Sequence, residues 1–417
     1  MDPKVEWLDR MLLNRLQPFA ESDPTGSLLA QTQWGFRKDR SAIDAIMNNR
    51  LVTNNALLSK THIYKCFIDL SKAYDRVDRP LLWELLRRIG IPPNLVLLLE
   101  NLHTGSSAVV VTQGCRNPSE KFDLERGLKQ GSVLAPLLFN LFSGAMIRHW
   151  KNQLGASHAG VRVVYNLNSS PVELPTHNNP QSNSKASDPL YPGRTLMVKE
   201  LLYADDCVIY AESEAQLQEL VSTYNKAAMD FGQQVSPTKS KVMVVQSAEL
   251  TLTSRPVVIR LSSTEPIALE VVKDSSYLGS TDSCDGNTSN ELNKRIARMR
   301  GAYFRLRGRV FENNALSPAP KLLLFKMFIV PVALYGCSTW DLTITQIKLL
   351  DQWQYRLLRR ILRPHVLPPT YPKKISYTDL LDAARVKGGI LIYSMETMIY
   401  LFTLRYLGHI ERSNPDS

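Results

Sequence analysis

Glu200-Leu-Leu-Tyr-Ala-Asp-Asp-Cys-Val-Ile-Tyr210 sets two short apolar runs on either side of an Asp pair. The runs have strand length and the pair is a turn signal, because Asp tolerates the left-handed conformations that tight hairpins require. Working outward, Ser213 and Gln216 make a capping box for a helix whose Leu217, Leu220, Tyr224, Ala227 and Phe231 recur at helical spacing up to Gly232. Lys241 to Gln246 follows as a strand. On the N-terminal side, His62 to Leu70 is a β-branched and aromatic run that predicts another strand. Pro80 opens a helix with Leu81, Leu82, Leu85, Leu86 and Ile89 on one stripe, ended by Gly90 and Pro92. Two more helices are expected from Pro93 to Leu102 and from Val133 to Trp150. Strand, helices, strand, strand, helix, strand is the split βαβ order of a ferredoxin-like sheet, an α/β (α+β) arrangement. In that order the first strand lies antiparallel beside the third, which carries Asp69 to the turn holding Asp205 and Asp206.

Composition narrows the function classes. The 417 residues are 44% hydrophobic and 21% charged, a globular balance sufficient for two to three domains. The five cysteines (Cys66, Cys115, Cys207, Cys284, Cys337) show no Cys-x-x-Cys spacing and the seven histidines no paired spacing, which excludes zinc ribbons, disulfide frameworks and the usual zinc hydrolases. Val133 to Ile147 is short and interrupted by Asn140 and Ser143, and Leu322 to Trp340 is broken by Lys326 and Pro331, so neither is expected to span a bilayer. The expectation is a soluble, intracellular protein with no membrane partner. A net charge of +11 points to a polyanion, nucleic acid first. Asn166 to Arg194, rich in Asn, Ser and Pro, predicts a surface insertion, the centre of a wider one taken as residues 156–198.

Three carboxylates at one sheet edge repel one another unless a cation neutralises them, and oxygen ligands suit magnesium. Two such ions about 4 Å apart can hold the attacking and leaving oxygens of an in-line phosphoryl transfer. Taken singly, each Asp also suits a plain turn or helix entry. Tyr74, five residues past Asp69, is placed to wall the site where a sugar would lie, and Lys129-Gln130-Gly131-Ser132 gathers amide groups ahead of a helix with Pro136 in its first turn. Lys239 and Lys241 follow the second helix of the βαβ order and could serve a leaving pyrophosphate.

Together these segments resemble the reverse transcriptases of non-LTR (LINE-like) retrotransposons. Gln33-Trp-Gly-Phe-Arg-Lys-Asp-Arg-Ser-Ala42 is similar to the family's fingers motif, Phe67 to Val77 to motif A, Gly127 to Asn140 to motif B and Tyr203-Ala-Asp-Asp206 to motif C. Ser236-Pro-Thr-Lys-Ser-Lys241 resembles motif D and Tyr277-Leu-Gly279 the primer grip. The resemblance implies a right-hand polymerase that adds dNMP to a DNA primer 3′-hydroxyl opposite an RNA template. It implies metal and catalytic roles for Asp69, Asp205 and Asp206, with two Mg²⁺ ions or Mn²⁺ in their place, and a catalytic Lys239. Nucleotide contacts are implied at Leu70, Tyr74 (the steric gate against a 2′-hydroxyl), Gln130, Gly131 and Arg37.

In the C-terminal third, Leu292, Ile296, Met299, Tyr303, Leu306 and Val310 form one helical stripe among Lys294, Arg295, Arg298, Arg300, Arg305, Arg307 and Arg309, and a helix from Ile347 to Arg363 adds Arg356, Arg359, Arg360 and Arg363. By position this resembles the polymerase thumb. Duplex contacts are expected at Tyr277, Leu278 and Gly279 and at Arg295, Arg298, Arg305 and Arg309. The expected layout is partial fingers over residues 1–61, palm over 62–285, thumb over 286–370 and a helical extension over 371–417. The family's earlier fingers motif is absent from residues 1–32, so the fingers read as truncated, and no endonuclease or Cys/His knuckle accompanies them; a separate endonuclease or further retroelement protein is an expected partner. A nuclear location follows by family analogy. Two alternatives stand beside this reading: a nucleic-acid-binding remnant without catalysis, and a repair-type DNA polymerase.

Overall fold

The structure is a computed structural model and describes residues 3–22, 28–111, 119–154, 160–165, 194–246, 257–262, 268–362 and 375–413. The core of the expected insertion, residues 166–193, lies outside the described residues, as do Cys115 and Arg363. The chain forms two compact units, residues 1–273 and 274–417.

The first unit begins with helices α1 (Pro3–Glu21) and α2 (Ala42–Leu58), strand β1 (Ile63–Ile68), a 3₁₀ turn (Tyr74–Arg76), and helices α3 (Arg79–Arg88) and α4 (Pro93–His103). It continues with β2 (Ser107–Ala108), β3 (Phe122–Asp123), helix α5 (Ala135–Leu154), β4 (Val161–Tyr165), β5 (Arg194–Val198), β6 (Glu200–Tyr203) and β7 (Asp206–Ala211). Helix α6 (Glu214–Asp230), β8 (Lys241–Val245) and β9 (Glu270–Val271) complete it. The main sheet has the order β6-β7-β1-β8-β9, with β1 antiparallel to both β7 and β8. Its first four strands follow the ferredoxin-like order expected from the sequence, and Ile68 pairs with Cys207.

All six residues of β1 are buried, because the sheet is covered on both faces. Tyr64, Cys66 and Ile68 join α5 and α6 in the main core, where Trp150 packs edge-on against Tyr224 with ring centres 5.4 Å apart. On the other face lies Lys65, wholly buried: its Nζ donates to Asn49 Oδ1 at 3.0 Å and to Thr53 Oγ1 at 2.5 Å, both on α2, and Tyr210 donates to the same Asn49 oxygen. A capping box between Ser41 and Asp44 starts α2, and Asp78 caps α3. Thus residues 1–61, expected as a separate partial fingers region, are woven into this unit: α1 packs its Leu12, Leu16 and Ala20 into the main core and α2 covers the sheet.

The second unit opens with a hairpin, β10 (Asp274–Tyr277) and β11 (Ser280–Ser283). Helices α7 (Ser289–Leu306), α8 (Pro318–Leu324), α9 (Val330–Ala333), α10 (Ile344–Leu362), α11 (Tyr377–Gly388) and α12 (Met395–Ser413) follow, with π-helical turns at Arg307–Phe311 and Phe325–Ile329. The division falls at Lys273 rather than at residue 285, because β10 and β11 pair with each other among the described residues and β11 packs on α7. Residues 375–399 contribute Ile375, Leu380, Met395 and Ile399 to the same core as α7 and α10, so the expected thumb and C-terminal extension are one body. Pro318–Thr339 is long and apolar enough to cross a membrane by composition, yet half of it is buried in this unit, with Phe325 and Ile329 at the centre.

Candidate active site

The carboxylates converge because β1 ends where the β6–β7 hairpin turns. Asp69 follows β1 directly, and Asp205 and Asp206 sit at the turn joining the neighbouring strands. The left-handed residue of that turn is Ala204 (φ 54°), not an Asp as the sequence suggested. Such a conformation is costly for a residue with a Cβ, and the surroundings hold it. Gln33, 1% exposed, accepts from the Ala204 N–H at 2.8 Å and donates to the Ala204 carbonyl at 3.2 Å. The same Gln33 oxygen accepts from Gly35 N, and Asn140 donates to the Gly35 carbonyl at 2.7 Å. Residues 32–34 run as an extra rung beside β6, with Leu202 exchanging hydrogen bonds with Thr32 and Trp34. A Cβ on Gly35 would stand 2.4 Å from the Ala204 nitrogen, so only glycine permits this approach.

Asp69 is fixed from its backbone: Ser240 Oγ accepts from its N–H and its carbonyl accepts from Ser236 N. Its Oδ1 is buried and makes no hydrogen bond, with Lys239 Nζ 3.6 Å away. Burial and then the neighbouring carboxylates push Asp206 up to about 6, and burial and Asp69 raise Asp205 as well. A buried acceptor without a donor and like charges that resist ionising together fit a hard divalent cation. Among the described residues no three His, Cys, Asp or Glu side chains enclose a metal ion, so any such ion would complete its shell with water and substrate oxygens.

Tyr74 stacks on Phe139 with ring centres 4.5 Å apart and planes at 14°, which fixes the ring as a wall. Burial, reinforced by the Asp205 charge, pushes its phenol up to about 12, so it stays neutral. The motif B loop is zipped to the same turn: Leu128 N donates to the Tyr74 carbonyl, Gln130 donates to Asp75 Oδ1, and a Cβ at Gly127 would collide with the Asp75 backbone. Gln130 and Gly131 are exposed at the loop tip, whereas Ser132 is buried and donates to Asp9 of α1 at 2.6 Å. Leu70 is buried and bridges to Val235.

Two expected contact residues are engaged elsewhere. Arg37 is paired with Glu21 at 2.6 Å and donates to the Ala30 carbonyl, so its guanidinium serves the packing of α1 rather than presenting a free charge. Within the second unit, Arg295 is 3% exposed; it pairs with Glu291 at 2.6 Å, donates to the Gly279 carbonyl and lies over the Tyr335 ring. It is a buried structural arginine, not a duplex contact. Leu278 and Gly279, both left-handed, form the two-residue turn of the β10–β11 hairpin, pinned by Arg295, Arg298 and Tyr335; Tyr277 is buried beside it. Arg298, Arg305 and Arg309 are exposed. Gln33 and Ser240 were not expected to hold the site, since hydrogen bonds across 171 positions leave no local pattern.

Over residues 4–281 the sequence matches the family described as Reverse transcriptase (RNA-dependent DNA polymerase). The chain belongs to the reverse transcriptase family. Among curated relatives, it is 32% identical over 139 residues to the RNA-directed DNA polymerase from mobile element jockey of Drosophila funebris, covering 33% of this chain and 14% of the relative. It is 22% identical over 416 residues to the Retrovirus-related Pol polyprotein from type-2 retrotransposable element R2DM of Drosophila melanogaster, covering 98% of this chain and 33% of that one. The chain thus spans a third or less of these relatives. Among solved structures, apo telomerase from Candida tropicalis aligns at 13% identity with a TM-score of 0.42, over 99% of this chain and 58% of that one. Both curated relatives carry the names of mobile or retrotransposable elements.

Proposed function

We propose that this chain is an RNA-directed DNA polymerase that extends a DNA primer on an RNA template with dNTPs. The observation that carries the reading is the meeting of Asp69, Asp205 and Asp206, with the unbonded Asp69 Oδ1 and Lys239 beside it. In the reaction the primer 3′-hydroxyl gives up its proton to water as its oxygen bonds to the α-phosphorus, the bond from that phosphorus to the β-phosphate bridge breaks, and pyrophosphate leaves. Asp69, Asp205 and Asp206 would hold two magnesium ions, or manganese in their place, which supply charge neutralisation for the attacking and leaving oxygens. Lys239, whose Nζ lies 3.6 Å from Asp69 Oδ1, would give a proton to the departing pyrophosphate. Tyr74, stacked on Phe139, walls the sugar side and excludes a 2′-hydroxyl, and Gln130 and Gly131 offer amides to the nucleotide from the loop tip. In the second unit the exposed Arg298, Arg305 and Arg309 would grip the template and primer duplex. A nuclear place of action and a separately supplied endonuclease belong to the same reading.

A second reading, nucleic-acid binding without catalysis, is favoured by one observation, the engagement of Arg37 by Glu21. Primer extension on an RNA template with magnesium, beside Asp205→Asn, separates the two. Extension lost in that variant, with Tyr74→Ala admitting ribonucleotides, supports the polymerase; salt-sensitive duplex binding without extension by the wild-type chain leaves only the binding protein.

A further inference from the structure

Arg79, the first residue of α3, reaches across the first unit to oxygens 24 to 48 positions further along the chain. Its Nε donates to the Gly127 carbonyl at 2.8 Å, and one terminal nitrogen donates to the carbonyls of His103 at 2.9 Å and Leu124 at 2.6 Å and to Ser106 Oγ at 3.2 Å. These acceptors are the last residue of α4, the residue after β3, the residue before β2 and the glycine that opens the motif B loop. A guanidinium suits this place, because its donors leave one rigid plane in fixed directions, whereas a lysine offers a point charge. Its base is anchored, since Asp78 caps α3 and Leu82, Trp83 and Leu86 are buried. Burial draws the guanidinium pKa down, the mark of a charge taken away from water. The Gly127 peptide is held from both sides: its N–H donates to the Val77 carbonyl at 2.9 Å while its carbonyl accepts from Arg79. Its φ of 85° and the Asp75 backbone against its α-carbon leave it no other path. Beyond it Leu128 is buried, and Lys129, Gln130 and Gly131 stand out as the exposed tip.

We propose that Arg79 is the positioning residue of the motif B loop, setting where Gln130 stands against the Tyr74 wall and thereby the affinity for the incoming nucleotide. It touches neither the nucleotide nor the reacting atoms. On its far side the loop is tied to the turn that carries Tyr74, through Leu128 N to the Tyr74 carbonyl and Gln130 to Asp75 Oδ1. On its near side the chain arrives from β3, a strand of two exposed residues, through the exposed Leu124, Glu125 and Arg126. So short a ladder holds little by itself. Arg79 joins that approach to the packed helices α3 and α4. The carboxylates are held by other means, Ala204 beside them by Gln33 and Asp69 by Ser240. A loop that slips should therefore lose nucleotide contacts while the step of bond formation keeps its geometry. The inference rests on the polymerase reading in taking the loop to receive a nucleotide.

The test is single-nucleotide primer extension by the full chain over a range of dNTP concentrations. Arg79→Gln is expected to raise KM for dNTP about 5- to 10-fold, the scale of a lost hydrogen bond, and to lower kcat less than about threefold. A merely structural arginine would do the reverse, since a smaller folded fraction lowers kcat and leaves KM alone. In a Gln130→Ala background the same change should raise KM less than about twofold, because the two residues act on one contact. A KM unchanged by Arg79→Gln, or an equal rise in the Gln130→Ala background, overturns the proposal. Should Arg79→Gln fail to fold by thermal melting, Arg79→Lys, which keeps the charge but not the fork, carries the same expectation. Amide hydrogen exchange of the wild-type chain and the variant keeps the two readings apart, with faster exchange expected at Gly127 and Leu128 and none of it in α5. A wild-type chain that extends primers while its variant keeps both KM and exchange refutes the clamp alone. A chain that never extends refutes the polymerase, and exchange then decides the clamp: faster at Gly127 and Leu128 supports it, unchanged overturns it.

Discussion

Asp206 shows how a single side chain can be poorly placed for stability and well placed for chemistry. Its carboxyl is pushed up to about 6 by burial and by Asp205 and Asp69, so the folded chain holds a proton that the unfolded chain, with a carboxyl near 4, has released. Stability from this group is therefore fully present below about pH 4 and lost as the pH rises through about 6. In metal-free buffer Asp206→Asn should raise stability at pH 7 by on the order of 1–2 kcal/mol and flatten the pH profile between 4 and 6, read by denaturant unfolding. An unchanged profile would mean the three carboxylates do not repel as described. Gly35 shows the converse, a residue whose missing side chain the site depends on. Gly35→Ala places a Cβ 2.4 Å from the Ala204 nitrogen and should push the turn out of place. The expected result is a fall in primer-extension kcat of at least about tenfold, equivalent to about 1.4 kcal/mol in the barrier, with little change in duplex affinity. Full activity would detach this contact from the catalytic turn.

At the scale of elements, an arginine of α7 and one of the π-helical turn after it separate folding from binding. Arg295 lies inside α7's packing, paired with Glu291 and capping the Gly279 carbonyl, whereas Arg309 is exposed in the π-helical turn that follows. Arg295→Ala strands Glu291 and should cost about 3–5 kcal/mol in unfolding experiments. Arg309→Ala should cost less than about 0.5 kcal/mol and instead lower the salt slope of duplex binding by about one. The reverse pattern would return Arg295 to the binding surface. The same pair marks what the sequence could convey. The helical stripe of α7 and the palm strands were legible because Leu292, Ile296, Met299 and Tyr303, or the runs around Cys66 and Val208, carry a strong period into a core. The inward turn of Arg295 was not, since its signal is one glutamate four residues upstream among many surface charges. Nor was the β10–β11 hairpin: Asp-Ser-Ser-Tyr and Ser-Thr-Asp-Ser have no apolar alternation, yet every second residue of β10 and all four of β11 are buried, tied by hydrogen bonds such as Ser283 to Asp274 and Thr281 N to Glu291. The Asp trio was placed by strand order alone, while the residue that bends the turn was misread because Ala204 owes its conformation to Gln33 rather than to its own side chain.

For the whole molecule, the two units carry separate hydrophobic cores, one around Phe139, Ile209 and Tyr224 and one around Tyr303, Phe325 and Leu358. Calorimetry should therefore resolve two unfolding transitions, since separate cores lose two-state behaviour. Magnesium should raise only the one belonging to residues 1–273, which hold the carboxylates. A single transition moving as a whole with magnesium would show that the cores unfold together.

The bond between Gln33 and Ala204 spans 171 positions, so it also sets a clock on synthesis. At about 5–20 residues per second, a ribosome delivers Ala204 roughly 10–35 s after Gln33. Throughout that interval the Gln33 amide and the rung it belongs to have no strand to join, and the acidic hairpin, once made, closes onto a partner that emerged long before it. The charged centre of the molecule thus stays open on the nascent chain until the hairpin, and then Ser240, which holds Asp69, have been made.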